Sequence, residues 1–204
     1  RYADPLFDAW IEAGAAAGHP VTPDYNAEAQ HGFGRMQCTI RDGRRCGAAT
    51  AYLRPALARA NLVVETGALA SRVLFDGTRA IGVEYVRAGV QRIAHAGREV
   101  LVAGGVINSP QLLMLSGIGD PDELAAHGLP VVAPLRGVGR NLQDHVMAPI
   151  AYRRKSPGPF QRAMRLDRIG FHVLNAYLRG KGFATDLPAP ITAFLKTSPE
   201  LALP

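Results

Sequence analysis

The sequence predicts a mixed α/β fold, part of it a nucleotide-binding arrangement set against a β-meander. Three observations predict it. Short β segments at 70–75, 80–86 and 91–95 are separated by the turn dipeptides Asp76-Gly77 and Ala88-Gly89. A continuous apolar run at 99–103 meets Gly104-Gly105 and then a helical stretch, giving the order strand, glycine turn, helix. Amphipathic helical patterns stand near both ends of the chain, at 5–17 and 160–179.

Asp4-Pro5 opens the first helix, a capping carboxylate followed by Pro at the first helical position. Leu6, Phe7, Trp10, Ile11 and Gly14 fall on one face, and Gly18 ends it. Residues 19–47 read as a long structured loop with one short strand at 35–40. Residues 48–58 form a helix with Tyr52, Leu53 and Leu57 on its apolar side. Residues 61–66 form a strand that ends at Gly67. After the meander, the run at 99–103 is a strand buried on both faces. Ser109 caps the next helix with Pro110 at its first position, and Gly117 and Gly119 end it. A short helix at 121–127, a strand at 131–132 and a glycine-bearing loop at 137–145 follow. Beyond them come a strand at 148–152, a break at 156–159, one long helix at 160–179, a strand at 191–195 and a loop at 197–200. The composition shifts near His145. Residues 1–145 therefore form one partial domain, and 146–204 begin a second.

Composition excludes several classes. Of 204 residues 48% are hydrophobic and 20% charged, which is globular and not disordered composition. The net charge is +6, carried mainly by scattered Arg. No nucleic-acid motif and no basic helix with interleaved aromatics accompanies it, so no nucleic-acid partner is expected. Cys38 and Cys46 are too few for a disulfide framework or a zinc site, and no metal is expected. No charged-then-apolar leader opens the chain and no run of 18 apolar residues exists, so no membrane partner and a cytoplasmic, bacterial-type setting are expected. Oligomeric state is left open.

Three Gly-x-Gly patterns occur, at Gly32-Phe33-Gly34, Gly117-Ile118-Gly119 and Gly137-Val138-Gly139. None has a third glycine three residues on or stands between a strand and a helix start, so none is the pyrophosphate-binding fingerprint. The segment 104–119 differs. A strand, two glycines and a helix start place unpaired N–H groups at a sheet edge, suited to a phosphate or ribose, or simply to close packing.

The segment Gly105-Val106-Ile107-Asn108-Ser109-Pro110-Gln111-Leu112-Leu113-Met114-Leu115-Ser116-Gly117-Ile118-Gly119 resembles the second signature of the glucose–methanol–choline oxidoreductases. Val106 departs from the small residue usual there. Gly137-Val138-Gly139-Arg140-Asn141-Leu142-Gln143-Asp144-His145 resembles the loop that follows that signature. Gly43-Arg44-Arg45 with Ala48-Ala49-Thr50-Ala51-Tyr52-Leu53, the stretch 61–67 and Gly82-Val83-Glu84 resemble further parts of the family, in order. The resemblance covers residues 24–145 well and 146–204 loosely.

It implies an FAD-binding, Rossmann-like domain with a β-meander, joined to the start of a substrate-binding domain, in an alcohol- or choline-dehydrogenase-like enzyme. Such enzymes pass a hydride from an alcohol carbon to the flavin, so a small alcohol substrate is expected. The resemblance places cofactor contacts at Ala70, Ala103, Gly104, Asn108 and Ser109. Ala70 would act through main-chain atoms on the meander's first strand, and the Ala103-Gly104 turn would lie on the adenosine side. The family's glycine fingerprint and its C-terminal His-bearing segment match nothing in these 204 residues. The chain is therefore expected to be the middle of a longer protein, with no catalytic residue of its own and weak or no binding of FAD when isolated.

Of six histidines, His145 beside Asp144 is the best local acid–base candidate. Neighbours in sequence rarely orient each other, so this pair is expected to pin the loop or to face substrate. Asp120-Pro121-Asp122-Glu123 is an acidic cluster that a helix dipole explains without a metal. The rival readings are a non-catalytic binding or scaffold remnant of the same fold and, remotely, a basic nucleic-acid module.

Overall fold

Helix α1, Pro5–Ala16, begins as its sequence dictates in the computed structural model of the chain, which describes residues 3–185, 190–198, 200 and 201. Asp4 is buried; its Oδ1 accepts the Leu6 N–H at 3.0 Å and its Oδ2 takes the Arg154 guanidinium at 2.7 Å. Gly14 must be glycine, because a Cβ there would meet the Phe33 ring at 2.5 Å. Phe33 also packs on Trp10, with ring centroids 4.5 Å apart.

The loop at 19–47 holds three short strands. They are β1 (Gly32–Arg35), β2 (Ile40–Arg41) and β3 (Arg44–Arg45). The strand expected at 35–40 is thus displaced to either side, because β1 takes its register from a distant partner and β2 from the β3 hairpin. Asp42 (φ 51°) and Gly43 (φ 68°) both sit in the left-handed region, as a two-residue hairpin turn requires. The helix expected at 48–58 is a π-helical turn, Ala49–Leu53, running into a short α2, Arg54–Ala56.

The meander is β4 (Ala68–Asp76), β5 (Arg79–Arg87) and β6 (Val90–His95), paired antiparallel in the order β4-β5-β6. Ala88 (φ 51°) and Gly89 (φ 76°) close the second hairpin. The ladder slips between Ala70 and Arg72, leaving Ser71 as a bulge.

Helix α3, Gly105–Leu115, starts earlier than expected. Ser109 does not cap it and Pro110 lies inside it; the chain turns at Gly105, whose φ of 85° only glycine adopts freely. Ser116, buried at its end, accepts the Val73 N–H of β4 at 2.8 Å and donates to Leu112 O at 2.5 Å. Strand β7 (Ile118–Gly119) then pairs in parallel with β8 (Ala133–Pro134), two residues beyond the expected position. Between them lies α4, Pro121–Ala126, capped by Asp120 and anchored by Leu124, which is 1% exposed.

Two further runs expected to be strands, 61–66 and 99–103, have no ladder partner among the described residues. A strand buried on both faces needs neighbours on both sides. Leu101 instead stands 82% exposed. The stretch 148–152 is irregular for the same reason, with Tyr152 90% exposed.

The single helix expected at 160–179 is two, α5 (Pro159–Ala163) and α6 (Leu166–Arg179), broken where Arg165 takes ψ 142°. Strand β9, Ile191–Phe194, pairs antiparallel with β1, Gly32 opposite Phe194. The loop read at 197–200 lies partly outside the described residues.

The chain forms two compact units, Arg1–Leu62 with Ile150–Pro204, and Val63–Pro149. This grouping differs from the division near His145. The N-terminal segment packs with the C-terminal one because β1 pairs with β9 and Asp4 with Arg154.

Candidate functional site

The site lies in the unit spanning residues 63–149. Strand β4 carries two apolar runs, Ala68-Leu69-Ala70 and Val73-Leu74-Phe75, and Ser71-Arg72 interrupts them. Ser71 Oγ lies 3.1 Å from Glu84 O and 2.9 Å from the Glu84 carboxylate, which also takes Arg72 at 2.9 Å. These bonds fix the bulge and set the direction of the residue before it, Ala70. The Arg72 and Ser71 hydrogen bonds hold the Glu84 carboxyl below its ordinary value.

Ala70 lines a cavity of about 480 Å³ with Ala103, Gly104 and Asn108. Val83, the run 100–102, Leu112 and Leu115 complete much of the apolar wall. Four of the five expected cofactor contacts are thus brought to one cavity. Ser109 does not line it; it is the next residue along α3. A Cβ at Gly104 would come within 3.2 Å of Asn108 Cβ and 3.3 Å of Ser109 N, so a side chain there would crowd the first turn of α3. Among the described residues no side chain caps α3, and its first turn holds no acid. Its leading N–H groups and positive dipole end therefore meet no side-chain cap, a start suited to an oxygen or anionic acceptor.

Asp144 and His145 lie away from this cavity. Asp144 Oδ1 accepts the His145 backbone N–H at 2.7 Å, and both residues are exposed. The carboxylate therefore spends that bond on the backbone and does not orient the imidazole.

The acidic cluster has a role that its sequence did not disclose. Asp120 Oδ1 accepts the Asp122 N–H at 3.1 Å and Arg136 at 2.7 Å, while Oδ2 takes Arg140 at 3.3 Å. Burial alone would raise the Asp120 carboxyl; the Asp122 N–H and the two guanidiniums outweigh it and hold the group below its ordinary value. This clasp holds the glycine loop against α4. The loop residues 139–143 form one side of an apolar groove of about 600 Å³ whose other side is α3. No cluster of three potential metal ligands occurs among the described residues.

The structural features around the site missed from sequence are the Ser71 bulge, the Ser116 strut and the partners of Asp120. Only the last left a signal, in the arginines of the 136–140 segment.

Known structures share this architecture. A solved FAD-dependent oxidoreductase from Chaetomium thermophilum superposes with a TM-score of 0.75 at 26% identity, covering 90% of this chain and 33% of its own. Pyridoxine 4-oxidase from Mesorbium loti gives 0.64 at 38% identity over 70% of this chain and 28% of its own. The fold is that of an FAD-binding α/β oxidoreductase.

The family model described as GMC oxidoreductase matches residues 1–147, and the chain belongs to that family. It is 58% identical over 142 residues to human mitochondrial choline dehydrogenase, 70% of this chain and 24% of that protein. It is 49% identical over 199 residues to oxygen-dependent choline dehydrogenase of Burkholderia vietnamiensis, 96% of this chain and 35% of that protein. The chain spans about a third or less of the length of these relatives.

Proposed function

We propose that this chain supplies the adenosine side of the FAD site in an enzyme that oxidises a small alcohol, choline or a close analogue. The supporting observation is the identity of 58% to a choline dehydrogenase over the segment that contains the cavity. FAD is the cofactor, and when bound it supplies the acceptor for the hydride leaving the alcohol carbon.

The residues present fit the adenosine end of that cofactor. The cavity walls are apolar, its polar groups are mainly backbone, and no side chain enters at Gly104. Ala70 would hold the adenine through its main chain, while the Ala103-Gly104 turn and Asn108 would hold the ribose side, with Ser109 adjacent. Positioning is this segment's whole contribution, and none of its six histidines serves as the base. The segment after residue 145 would begin the substrate domain.

Replacing the matching segment of the Burkholderia vietnamiensis relative by these 204 residues tests the reading. A folded chimaera should retain flavin in stoichiometric amount and reduce an electron acceptor when choline is added. A folded chimaera that binds no flavin, or binds it and leaves choline and its analogues untouched, contradicts the reading and favours a non-catalytic remnant.

A further inference from the structure

Strands β4 and β5 leave their register and return to it. Ala68, Leu69 and Ala70 pair with Arg87, Val86 and Tyr85, and Phe75 and Asp76 pair with Ala80 and Arg79 in that same register. Between them Arg72, Val73 and Leu74 pair with Glu84, Val83 and Gly82, one position out. Ser71 is the extra residue on β4 that opens the slip, and Ile81 is the extra residue on β5 that closes it. Two bulges disrupt the ladder, and a regular ladder over the same residues needs neither.

The slip decides which way the Ala70 backbone faces. In an antiparallel strand the main-chain groups of alternate residues turn toward the partner and the rest turn away. The Val73 N–H donates to Ser116 Oγ at 2.8 Å, so Val73 turns away from β5 and Arg72 turns toward it, opposite Glu84. Alternation along β5 then turns Val86 toward β4 and Tyr85 away from it. Leu69 therefore spends its main chain on the ladder, and Ala70 keeps its own free. Ala70 and Val73 are an odd number of positions apart, so a regular strand would face them oppositely. The extra residue lets both face away from β5, Val73 to the Ser116 strut and Ala70 on the side where it lines the cavity.

A buried carboxylate holds the extra residue in place. Glu84 is 8% exposed. Ser71 Oγ lies 2.9 Å from its Oε1, and Arg72 Nη2 donates to its Oε2 at 2.9 Å, so one side chain ties both residues at the slip.

We infer that Ser71 and Glu84 are positioning residues of the cofactor site: their pairing holds the bulge, and the bulge frees the Ala70 main chain for the ligand. This rests on the function proposed for the cavity. Without the pairing the strand should become regular, and a one-residue slip turns a whole segment to its other face. Turning residues 72–74 would bring Arg72 to the place of Val73, which is 4% exposed. Turning residues 68–70 moves only two alanines and Leu69. The Ala70 side therefore yields, and its N–H enters the ladder.

Amide hydrogen exchange of the chain without nucleotide tests the device, and ADP titration followed by backbone amide shifts tests its use. Ser71→Val and Ser71→Thr introduce side chains of one shape that differ in the hydroxyl. In the wild type and in Ser71→Thr the Leu69 amide should be protected, and that of Ala70 should exchange about tenfold faster or more. In Ser71→Val and in Glu84→Ala the order should reverse, and affinity for ADP should fall by about tenfold or more. The Val73 amide should stay protected in all of these chains, which shows that β4 remains folded. Protection of Ala70 in the wild type, or equal behaviour of Ser71→Val and Ser71→Thr, overturns the inference. So does unchanged ADP affinity in a variant whose exchange order has reversed. The expected exchange with no ADP-induced shift in the wild type contradicts the function proposed for the cavity, and the bulge then positions no cofactor contact.

Discussion

Helices α3 and α4 follow one another closely in the same unit, yet they begin in opposite ways. Helix α4 starts on Asp120-Pro121, and its cap is bound to the backbone and to two arginines. Helix α3 starts on Gly104-Gly105, with no side-chain cap among the described residues and a cavity in front of it. An Asp cap satisfies a helix end from within and makes it a fixed point of the fold. A glycine start leaves donors free and lets a ligand approach the backbone. On the proposed function, the difference separates the part of this chain that holds structure from the part that would hold cofactor.

Exchanging the two starts should break the comparison, and the largest effect is expected at Gly104. Gly104→Asp gives α3 the kind of cap α4 has and fills the open turn. In the flavin-binding chimaera, the variant's affinity for FAD should fall at least tenfold, since a free donor is lost and a like charge faces an anionic cofactor. Its melting temperature without flavin should change by no more than a few degrees, the new cap set against crowding of Asn108 and Ser109. Titration of the apoprotein with FAD, beside thermal melts, reads both. Unchanged affinity would remove the glycine start from the site.

Ser116→Ala comes next. It strands the Val73 N–H, and chemical denaturation of the chain should show a loss of about 1 kcal/mol. Asp120→Ala should lower the melting temperature by a few degrees and leave the flavin affinity of the chimaera unchanged. A loss of flavin on Asp120→Ala would mean that the two helix starts do not divide the roles as described.

The smallest effect is the pH dependence of the Asp120 clasp. The Asp120 carboxyl sits below its ordinary value in the folded chain, so its contribution is fully present above that ordinary value and is lost as pH falls through the depressed one. Melts from pH 6 downward should therefore show the wild type losing stability below about pH 4, with a smaller decline in Asp120→Ala. Parallel declines would show that the clasp does not carry its share.

The legible parts of the fold were the local ones. The meander announced itself through Asp76-Gly77 and Ala88-Gly89, and α1 and α4 through Asp-Pro starts, because each is decided by a few neighbouring residues. The runs at 61–66 and 99–103 were misread, because a strand exists only with partners and sequence alternation cannot supply them. The early start of α3 hid behind Ser109-Pro110, a good helix opening in sequence that Gly105 pre-empts. The break at Arg165 leaves no proline or glycine to mark it. Of the site, the glycine turn was visible as a pattern. Ala70 was reachable only through resemblance, since the main-chain contact proposed for it would leave no trace in side-chain identity. The clasp on Asp120 joins residues 16 and 20 positions apart, a pairing that no local pattern encodes.

The central claim is that β4 at Ala70 and the start of α3 form one adenosine site. Titrating FAD, and ADP in parallel, into the isotope-labelled chain while following backbone amide shifts tests it directly, because shifts register even weak binding. The amides of Ala70 and of residues 103–108 should move together along one weak binding curve, with those of 120–127 and 141–145 unmoved. Shifts confined to other residues, or none at saturating nucleotide, would contradict the account.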